Sequence, residues 1–174
     1  NQHCTGNLLP SVRAGLEMAL LHLLRRVAPE AKRPQRSDVS INSLVARDED
    51  LSTEKALVSK LKVGKEPLQD AQRTNELALL LAKRPQAKLR LDANRSWTLE
   101  QAATFINNLD EQAIQITEYL EEPLEQSPDL LKQWEVLADK THRRLPFAVD
   151  ESLTEGLIST KDMENCQAPI EAVV

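Results

Sequence analysis

The chain has 174 residues, which is long enough to bury a hydrophobic core and to form one domain or a large part of one. It carries 22 basic and 27 acidic residues, a net charge of -5, and only five aromatic residues. This balance argues against a nucleic-acid surface, which needs basic stripes and stacking platforms. The most apolar run is too short to span a bilayer, and the first residues show no signal-peptide pattern, so we expect a soluble protein that does not act on membranes.

Cysteine and histidine residues are few and scattered. Cys4 and Cys166 lie near opposite ends of the chain and form neither a metal-ligand cluster nor a disulfide framework, which favours a reducing compartment. His3, His22 and His142 have no zinc-binding spacing, and the four glycines form no phosphate-binding loop. Zinc hydrolysis and mononucleotide binding are therefore disfavoured.

The first half of the chain alternates between helical and strand patterns. Apolar residues recur at helical spacing, or β-branched and apolar residues cluster between turn signals, in each segment. The predicted order is a helix over Ser11–Val27, a strand over Val39–Val45, a short helix over Leu51–Val58, a strand over Ser59–Val63, a helix from Pro67 to just before Pro85, and a strand within Leu89–Trp97.

The second half continues the alternation. Thr98 and Gln101 have the spacing of a capping box, which predicts a helix start, and Ser127-Pro128 predicts an N-cap followed by proline in the first turn. The remaining predicted elements are a strand over Ile114–Glu121, a strand over Leu145–Asp150, a shorter helix, and a sixth strand over Ile170–Val174.

Strands that alternate with helices predict parallel strands and an α/β fold. An open sheet and a barrel are both compatible with this order. No Gly-rich turn follows the first strand, and the strand-helix unit has a nearly constant length, so we favour an incomplete (β/α)8 TIM-type barrel. Residues 1–37 are predicted to be an opening helix and linker, and residues 38–174 the first six strands of the barrel.

The ends of the predicted strands carry regularly spaced charged residues. Lys62, Asp92, Glu121 and Asp150 follow one another at intervals of 30, 29 and 29 residues. In a barrel, the carboxyl ends of the strands form one mouth, so residues at equivalent positions converge there. Three carboxylates and a lysine are therefore expected to meet.

Three neighbouring carboxylates repel one another unless a cation lies between them. A site that offers only oxygen ligands suits a hard divalent ion, which predicts a magnesium site. Lys60 shares a strand face with Lys62, so both are expected to point toward the ion, where neighbouring positive charge favours a neutral, basic amine. By the same alternation, Arg90 and Asn94 should project on the same side as Asp92.

Four motifs resemble those of the enolase superfamily, in the same order along the chain. They are Lys60–Gly64, Asp92–Asn94, Glu121–Pro123 and Asp150–Ser152, and Ser11–Leu20 is similar to the helix that opens the barrel domain in that superfamily. Within it, Leu89–Trp97 most resembles the o-succinylbenzoate synthase family, because Arg90 and Arg95 flank the Asp-Ala-Asn motif and favour it over dipeptide epimerases.

The resemblance implies a role for each motif residue. Glu121 rather than Glu122 would be the ligand from its motif, because the first acid of that motif binds the metal in the family. Lys62 would act as the base, with Lys60 as an electrostatic helper. Mg²⁺, or alternatively Mn²⁺, would be bound by Asp92, Glu121 and Asp150, with Asn94 and Arg90 as supporting residues.

The implied activity is that of a Mg²⁺-dependent dehydratase of menaquinone or phylloquinone biosynthesis. It would form o-succinylbenzoate from a 2-succinyl-6-hydroxycyclohexadiene carboxylate by removing a proton α to a carboxylate, with a metal-stabilised enediolate. The alternatives are a dipeptide or N-acylamino acid epimerase or racemase of the same superfamily, and a catalytically inactive barrel fragment. The expected partner is a small carboxylate substrate, in the cytoplasm or, in a plant or alga, the plastid stroma; the oligomeric state stays open.

The family also has a capping domain before the barrel and a further lysine just past the sixth strand. Neither lies within these residues, and the crossover before Lys60 is short. The 174-residue chain by itself is therefore expected to fold weakly and to lack dehydratase activity, whereas a version extended at both ends should have both.

Overall fold

A computed structural model describes residues 10–27, 42–45 and 56–173. The chain divides into two compact units, Asn1–Val39 and Ser40–Val174. The first contains helix α1 (Pro10–Val27), which agrees with the helix predicted there. Within the described ranges, none of the helices combines the length and the apolar character that crossing a membrane requires.

The second unit is built on a six-stranded parallel sheet whose strands lie in chain order, β1 to β6. The strands are β1 (Ser43–Val45), β2 (Val58–Lys62), β3 (Lys88–Asp92), β4 (Thr117–Glu121), β5 (Phe147–Val149) and β6 (Ile170–Val173). The helices are α2 (Pro67–Leu81), α3 (Leu99–Asn107), α4 (Glu111–Ile116), α5 (Leu130–Lys140), α6 (Glu151–Thr154) and α7 (Thr160–Glu164). Parallel strands in sequential order are the arrangement of a (β/α) barrel, so the predicted fold class is confirmed, with part of the barrel present.

The core lies between one face of the sheet and the helices. On strands β2 to β4, the residues that face this layer are fully buried, including Leu61, Leu91 and Leu120. The helices contribute apolar side chains at helical spacing, among them Leu77, Leu81, Ile106, Trp134 and Leu137. Because side chains alternate along a strand, the charged residues between these leucines project to the opposite face of the sheet.

Helix starts were predicted with mixed success. The capping box of Thr98 and Gln101 is present, with both reciprocal hydrogen bonds formed. The prediction of Ser127 as an N-cap is wrong, because α5 begins two residues later with Asp129 at the N-cap position. That start places Leu130 in the first turn, where its side chain is buried with the rest of the apolar stripe.

The strand predicted over Ile114–Glu121 is wrong in its first part. Residues up to Ile116 belong to helix α4, and the strand proper begins at Thr117. A short apolar-polar alternation fits one turn of helix as well as an extended strand. Here the chain stays helical until the Thr117 hydroxyl donates to the Ala113 carbonyl oxygen, at 2.6 Å.

Three further predicted elements differ in extent. The strand predicted over Val39–Val45 is seen as Ser43–Val45, with residues 39–41 outside the described ranges. Most of the helix predicted over Leu51–Val58 also lies outside them, and Val58 itself is in β2. The single short helix predicted before the sixth strand is two helices, α6 and α7.

Candidate active site

The carboxyl ends of β2, β3 and β4 lie in register. Lys62 is the pairing partner of Asp92, and Asp92 is that of Glu121. Backbone hydrogen bonds continue this ladder past the strand ends, from Val63 N–H to the Asp92 carbonyl oxygen (2.9 Å) and from Ala93 N–H to the Glu121 carbonyl oxygen (3.1 Å). For Lys62, Asp92 and Glu121, the equal spacing read from the sequence therefore corresponds to one row of residues at a single edge of the sheet. Glu121 itself pairs with Ala148, so Asp150 lies two residues beyond this row, past the end of β5.

The ammonium group of Lys60 binds two of these acids together. Its Nζ lies 2.7 Å from Glu121 Oε2 and 3.1 Å from Asp92 Oδ2. Burial works against the charged amine and lowers the pKa of Lys60, but the hydrogen bonds to Glu121 and Asp92 outweigh burial and raise the pKa above its usual value. Two carboxylates from neighbouring strands thus converge on one cation.

The Glu121 carboxyl group is unusual because it is almost completely buried. Burial raises its pKa from 4.5 to about 7; Lys60 opposes the rise, and the negative charges of Asp92 and Asp150 add to it. The pKa of Glu121 rises even though a lysine contacts it, because the effect of burial exceeds the opposing effect of Lys60. A cation bound here would favour the charged form of Glu121.

The donor chemistry of this cluster fits Mg²⁺. Glu121 and Asp92 offer hard oxygen atoms that already share a cation, and Asp150 is near enough to influence the pKa of Glu121. In the part of the chain that the structure describes, no three acidic, histidine or cysteine side chains stand in a ready-made metal-binding group. Asp92, Glu121 and Asp150 would be the residues to hold such an ion.

Lys62 lies at the end of β2, exposed to solvent. Its side chain has no hydrogen bond or ion pair among the described residues, in contrast to that of Lys60, which is held by two acids. The two lysines are on the same strand face, as the alternation predicts, but only one of them contacts the carboxylates. Lys62 is the amine that is left free to reach a molecule at the mouth.

Of the two predicted supporting residues, Asn94 and Arg90, only Asn94 forms a hydrogen bond with the Asp92 side chain. The Asn94 backbone N–H donates to Asp92 Oδ1 at 3.0 Å, in a turn where Asn94 adopts a positive φ of 48°. Arg90 lies two residues before Asp92 on β3. Its Nε donates to Glu118 Oε2 at 2.7 Å, and its guanidinium stacks over Tyr119. Asn94 therefore contacts the acid through its backbone, and Arg90 is paired elsewhere.

Two buried acids around the site were not foreseen as important. Asp70, in the first turn of α2, accepts hydrogen bonds from the Gly64 and Lys65 N–H groups through Oδ2, at 3.0 and 2.8 Å, and so fixes the loop that follows Lys62. Glu122 is fully buried and accepts hydrogen bonds from the loop after β5. The position of Asp70 in a first helical turn is a sequence signal that it could bind backbone N–H groups. The sequence around Glu122, a second Glu before proline, does not indicate that Glu122 binds the loop after β5.

The shift at Glu121 predicts a pH-dependent stability. Between about 4.5 and about 7 the folded state binds more protons than the unfolded state, so the free energy of unfolding should fall as the pH rises through this range. In chelator, Glu121→Gln should remove on the order of 2 kcal/mol of this pH dependence. Thermal unfolding of the full-length protein at several pH values measures this pH dependence. Glu125→Gln, on an exposed loop, is the control. Equal pH profiles for both variants would show that Glu121 is not the source of the pH dependence.

The parallel, sequentially ordered strands with helices between them are those of a (β/α) barrel domain. Residues 48–165 match the family described as enolase C-terminal domain-like. The chain belongs to the enolase superfamily, as the four motifs indicated.

Individual relatives agree with this assignment. The chain is similar to the o-succinylbenzoate synthase of Aliivibrio fischeri, with 32% identity over 91% of this chain and 47% of that protein, and to that of Proteus mirabilis, with 33% identity over 94% and 48%. The crystal structure of o-succinylbenzoate synthase from Thermosynechococcus elongatus BP-1, complexed with Mg in the active site, superimposes with a TM-score of 0.56 and 26% identity, covering 94% of this chain and 52% of that one. The chain thus spans about half the length of the relatives it matches.

Proposed function

We propose that the full-length protein containing this chain is a Mg²⁺-dependent lyase that forms o-succinylbenzoate. The observation that carries the proposal is the row of strand-end residues in which Asp92 and Glu121 both bind the Lys60 ammonium group, beside an exposed Lys62. The similarity to o-succinylbenzoate synthases over 91% of the chain supports the particular substrate. The reaction is loss of water from a 2-succinyl-6-hydroxycyclohexadiene carboxylate.

In this proposal Asp92, Glu121 and Asp150 hold Mg²⁺. When bound, the ion supplies positive charge that stabilises the negative charge developing on the substrate carboxylate as the α-proton leaves. Its charge would also offset the repulsion among these three carboxylates. Asn94 orients Asp92 through its backbone N–H group.

Lys62 carries the proton chemistry. Its amine removes the proton α to the carboxylate and returns that proton to the departing hydroxide, so that water leaves and the ring becomes aromatic. Lys60, held by Asp92 and Glu121, contributes a fixed positive charge close to the reacting carboxylate. One lysine is thus anchored and one is free, which suits a helper and a base respectively.

The metal assignment predicts the behaviour of three variants. Asp92→Asn, Glu121→Gln and Asp150→Asn should each weaken Mg²⁺ binding at least about tenfold, because loss of a direct ligand should cost no less than loss of a group behind it. Calorimetric titration of the full-length protein measures this. Glu118→Gln is the matched control, since Glu118 is on the same strand as Glu121 but pairs with Arg90. Wild-type affinity in all three ligand variants would remove the metal site from the proposal.

The activity itself has a direct test. The full-length protein is incubated with the cyclohexadiene substrate and Mg²⁺, and o-succinylbenzoate is detected by its aromatic absorbance. The same preparation is then incubated with dipeptides and N-acylamino acids in deuterated water. Exchange at the α-carbon without dehydration would favour the epimerase alternative, and the absence of both reactions would favour an inactive protein. The expected cytoplasmic or plastid location stays a prediction.

A further inference from the structure

Glu122 follows the expected metal ligand Glu121, yet its side chain points to a different part of the molecule. Glu122 is fully buried and its carboxylate accepts three hydrogen bonds. Oε1 accepts the backbone N–H groups of Asp150 and Ser152, both at 2.9 Å, and Oε2 accepts the Ser152 hydroxyl at 2.6 Å. All three donors come from the short segment that holds Asp150.

The backbone of Glu122 is fixed on both sides as well. Its N–H donates to the Ala148 carbonyl oxygen in β5 at 3.1 Å, and its carbonyl oxygen accepts Arg95 N–H, from the loop after β3, at 2.8 Å. The backbone of Glu122 has a φ of 45°, which lies in the left-handed region that residues other than glycine rarely adopt. Such a conformation persists only where surrounding contacts impose it.

This conformation separates two consecutive glutamates. Glu121 points to Lys60 and Asp92, whereas Glu122 turns toward the next loop and reaches Ser152. A regular strand would also send the two side chains to opposite faces, but it would not direct Glu122 toward the end of β5. The left-handed conformation of Glu122 therefore connects the strand end that carries Glu121 to the segment that carries Asp150.

We propose that Glu122 is a positioning residue that sets the place of Asp150, and that it does so by the reach and number of its hydrogen bonds rather than by its charge. The inference rests on the proposed function, in which Asp150 is a metal ligand. Asp150 follows a strand of only three residues, β5, so the strand pairing alone holds it over a short length. Glu122 supplies the remaining constraint on its backbone.

Two conservative variants separate reach from charge. Glu122→Gln keeps the length of the side chain; its carbonyl oxygen can accept both N–H groups, and its NH₂ group can donate to the Ser152 hydroxyl. Glu122→Asp keeps the charge but is one methylene shorter, so it cannot hold all three donors. Glu125→Asp, at an exposed neighbouring glutamate, is the matched control for the same chemical change.

The first readout is the exchange of backbone amide hydrogens in a peptide covering residues 150–152, measured in chelator by mass spectrometry on the full-length protein. The second is the Mg²⁺ Kd by calorimetry. We expect Glu122→Asp to speed the exchange and raise the Kd by about 10-fold to 100-fold, and Glu122→Gln to stay within about threefold of wild type. Glu125→Asp should match the wild type in both measurements.

Wild-type exchange and Kd in Glu122→Asp would overturn the inference. A Glu122→Gln variant as impaired as Glu122→Asp would also overturn it, because a side chain of full length without the charge would then not be sufficient. If Glu122→Asp does not fold, Ser152→Ala replaces it, since it removes only the hydroxyl hydrogen bond: faster exchange than in Glu122→Gln supports the inference, and equal exchange overturns it. Failure of the wild type to bind Mg²⁺ would refute the metal proposal alone, while the exchange measurement still decides the role of Glu122.

Discussion

Lys62→Ala in the full-length protein is expected to lower kcat for dehydration about 10³-fold, because it removes the only amine proposed to exchange a proton with the substrate. The Kd for Mg²⁺ should stay close to wild type, since the Lys62 amine forms no ion pair with Asp92 or Glu121, whereas the Lys60 amine pairs with both. Initial-rate kinetics and calorimetry on the same preparation measure the two effects.

Lys65→Ala provides the control for Lys62→Ala. Lys65 is also exposed and lies three residues after Lys62, in the loop that follows β2, so its loss changes net charge equally. It should leave kcat and KM near wild-type values. Near-normal turnover by Lys62→Ala would show that the base has been misassigned, and a parallel loss in Lys65→Ala would show that the loss reflects charge rather than proton transfer.

Gly64→Ala should be the most destabilising single substitution of a glycine in the second unit. A Cβ at this position would lie 2.5 Å from the Ala93 carbonyl oxygen and 3.0 Å from Ser96 Cβ, and φ is +104°. The left-handed conformation and the overlap with backbone should together lower the free energy of unfolding by about 3 kcal/mol or more. Chemical denaturation of the full-length protein measures the change.

Gly156→Ala separates the two causes. Gly156 also has a positive φ, of +74°, but no atom lies within 4 Å of the Cβ that would be added. It should therefore lose only the conformational part, about 1 kcal/mol. Equal losses for both variants would mean that the close approach of the loop after β2 to the loop after β3 contributes nothing to stability.

The sequence could predict that Asp92 and Glu121 lie together because side-chain alternation on a strand is a local property. Asp92 and Glu121 lie in register at the ends of β3 and β4, each one residue after a fully buried leucine. The same local rule failed for Ile114 to Ile116, where three residues are too few to distinguish a helix from a strand. Parity decides which way a side chain points only once the element type is known.

What the sequence could not predict depends on contacts between loops. Glu122 turns into the left-handed region because of hydrogen bonds to segments 28 and 30 residues away in the chain. Likewise, alternation places Lys60 and Lys62 on one face, but the distances that let Lys60 bind two acids depend on how neighbouring strands pack. Neither arrangement leaves a periodic pattern in the chain.

The row of acids at the sheet edge has a consequence for how such a protein can change in evolution. Along β3, Leu91 packs into the core while Asp92, its neighbour in sequence, faces the mouth. Replacing the first with a small side chain would leave a cavity in the core, whereas replacing the second changes the charge and hydrogen bonding at the edge without opening a cavity between the sheet and the helices. Single substitutions at the strand ends can therefore change the chemistry of the site while the core of the domain is kept. Selection for folding and selection for activity then act on different, adjacent codons.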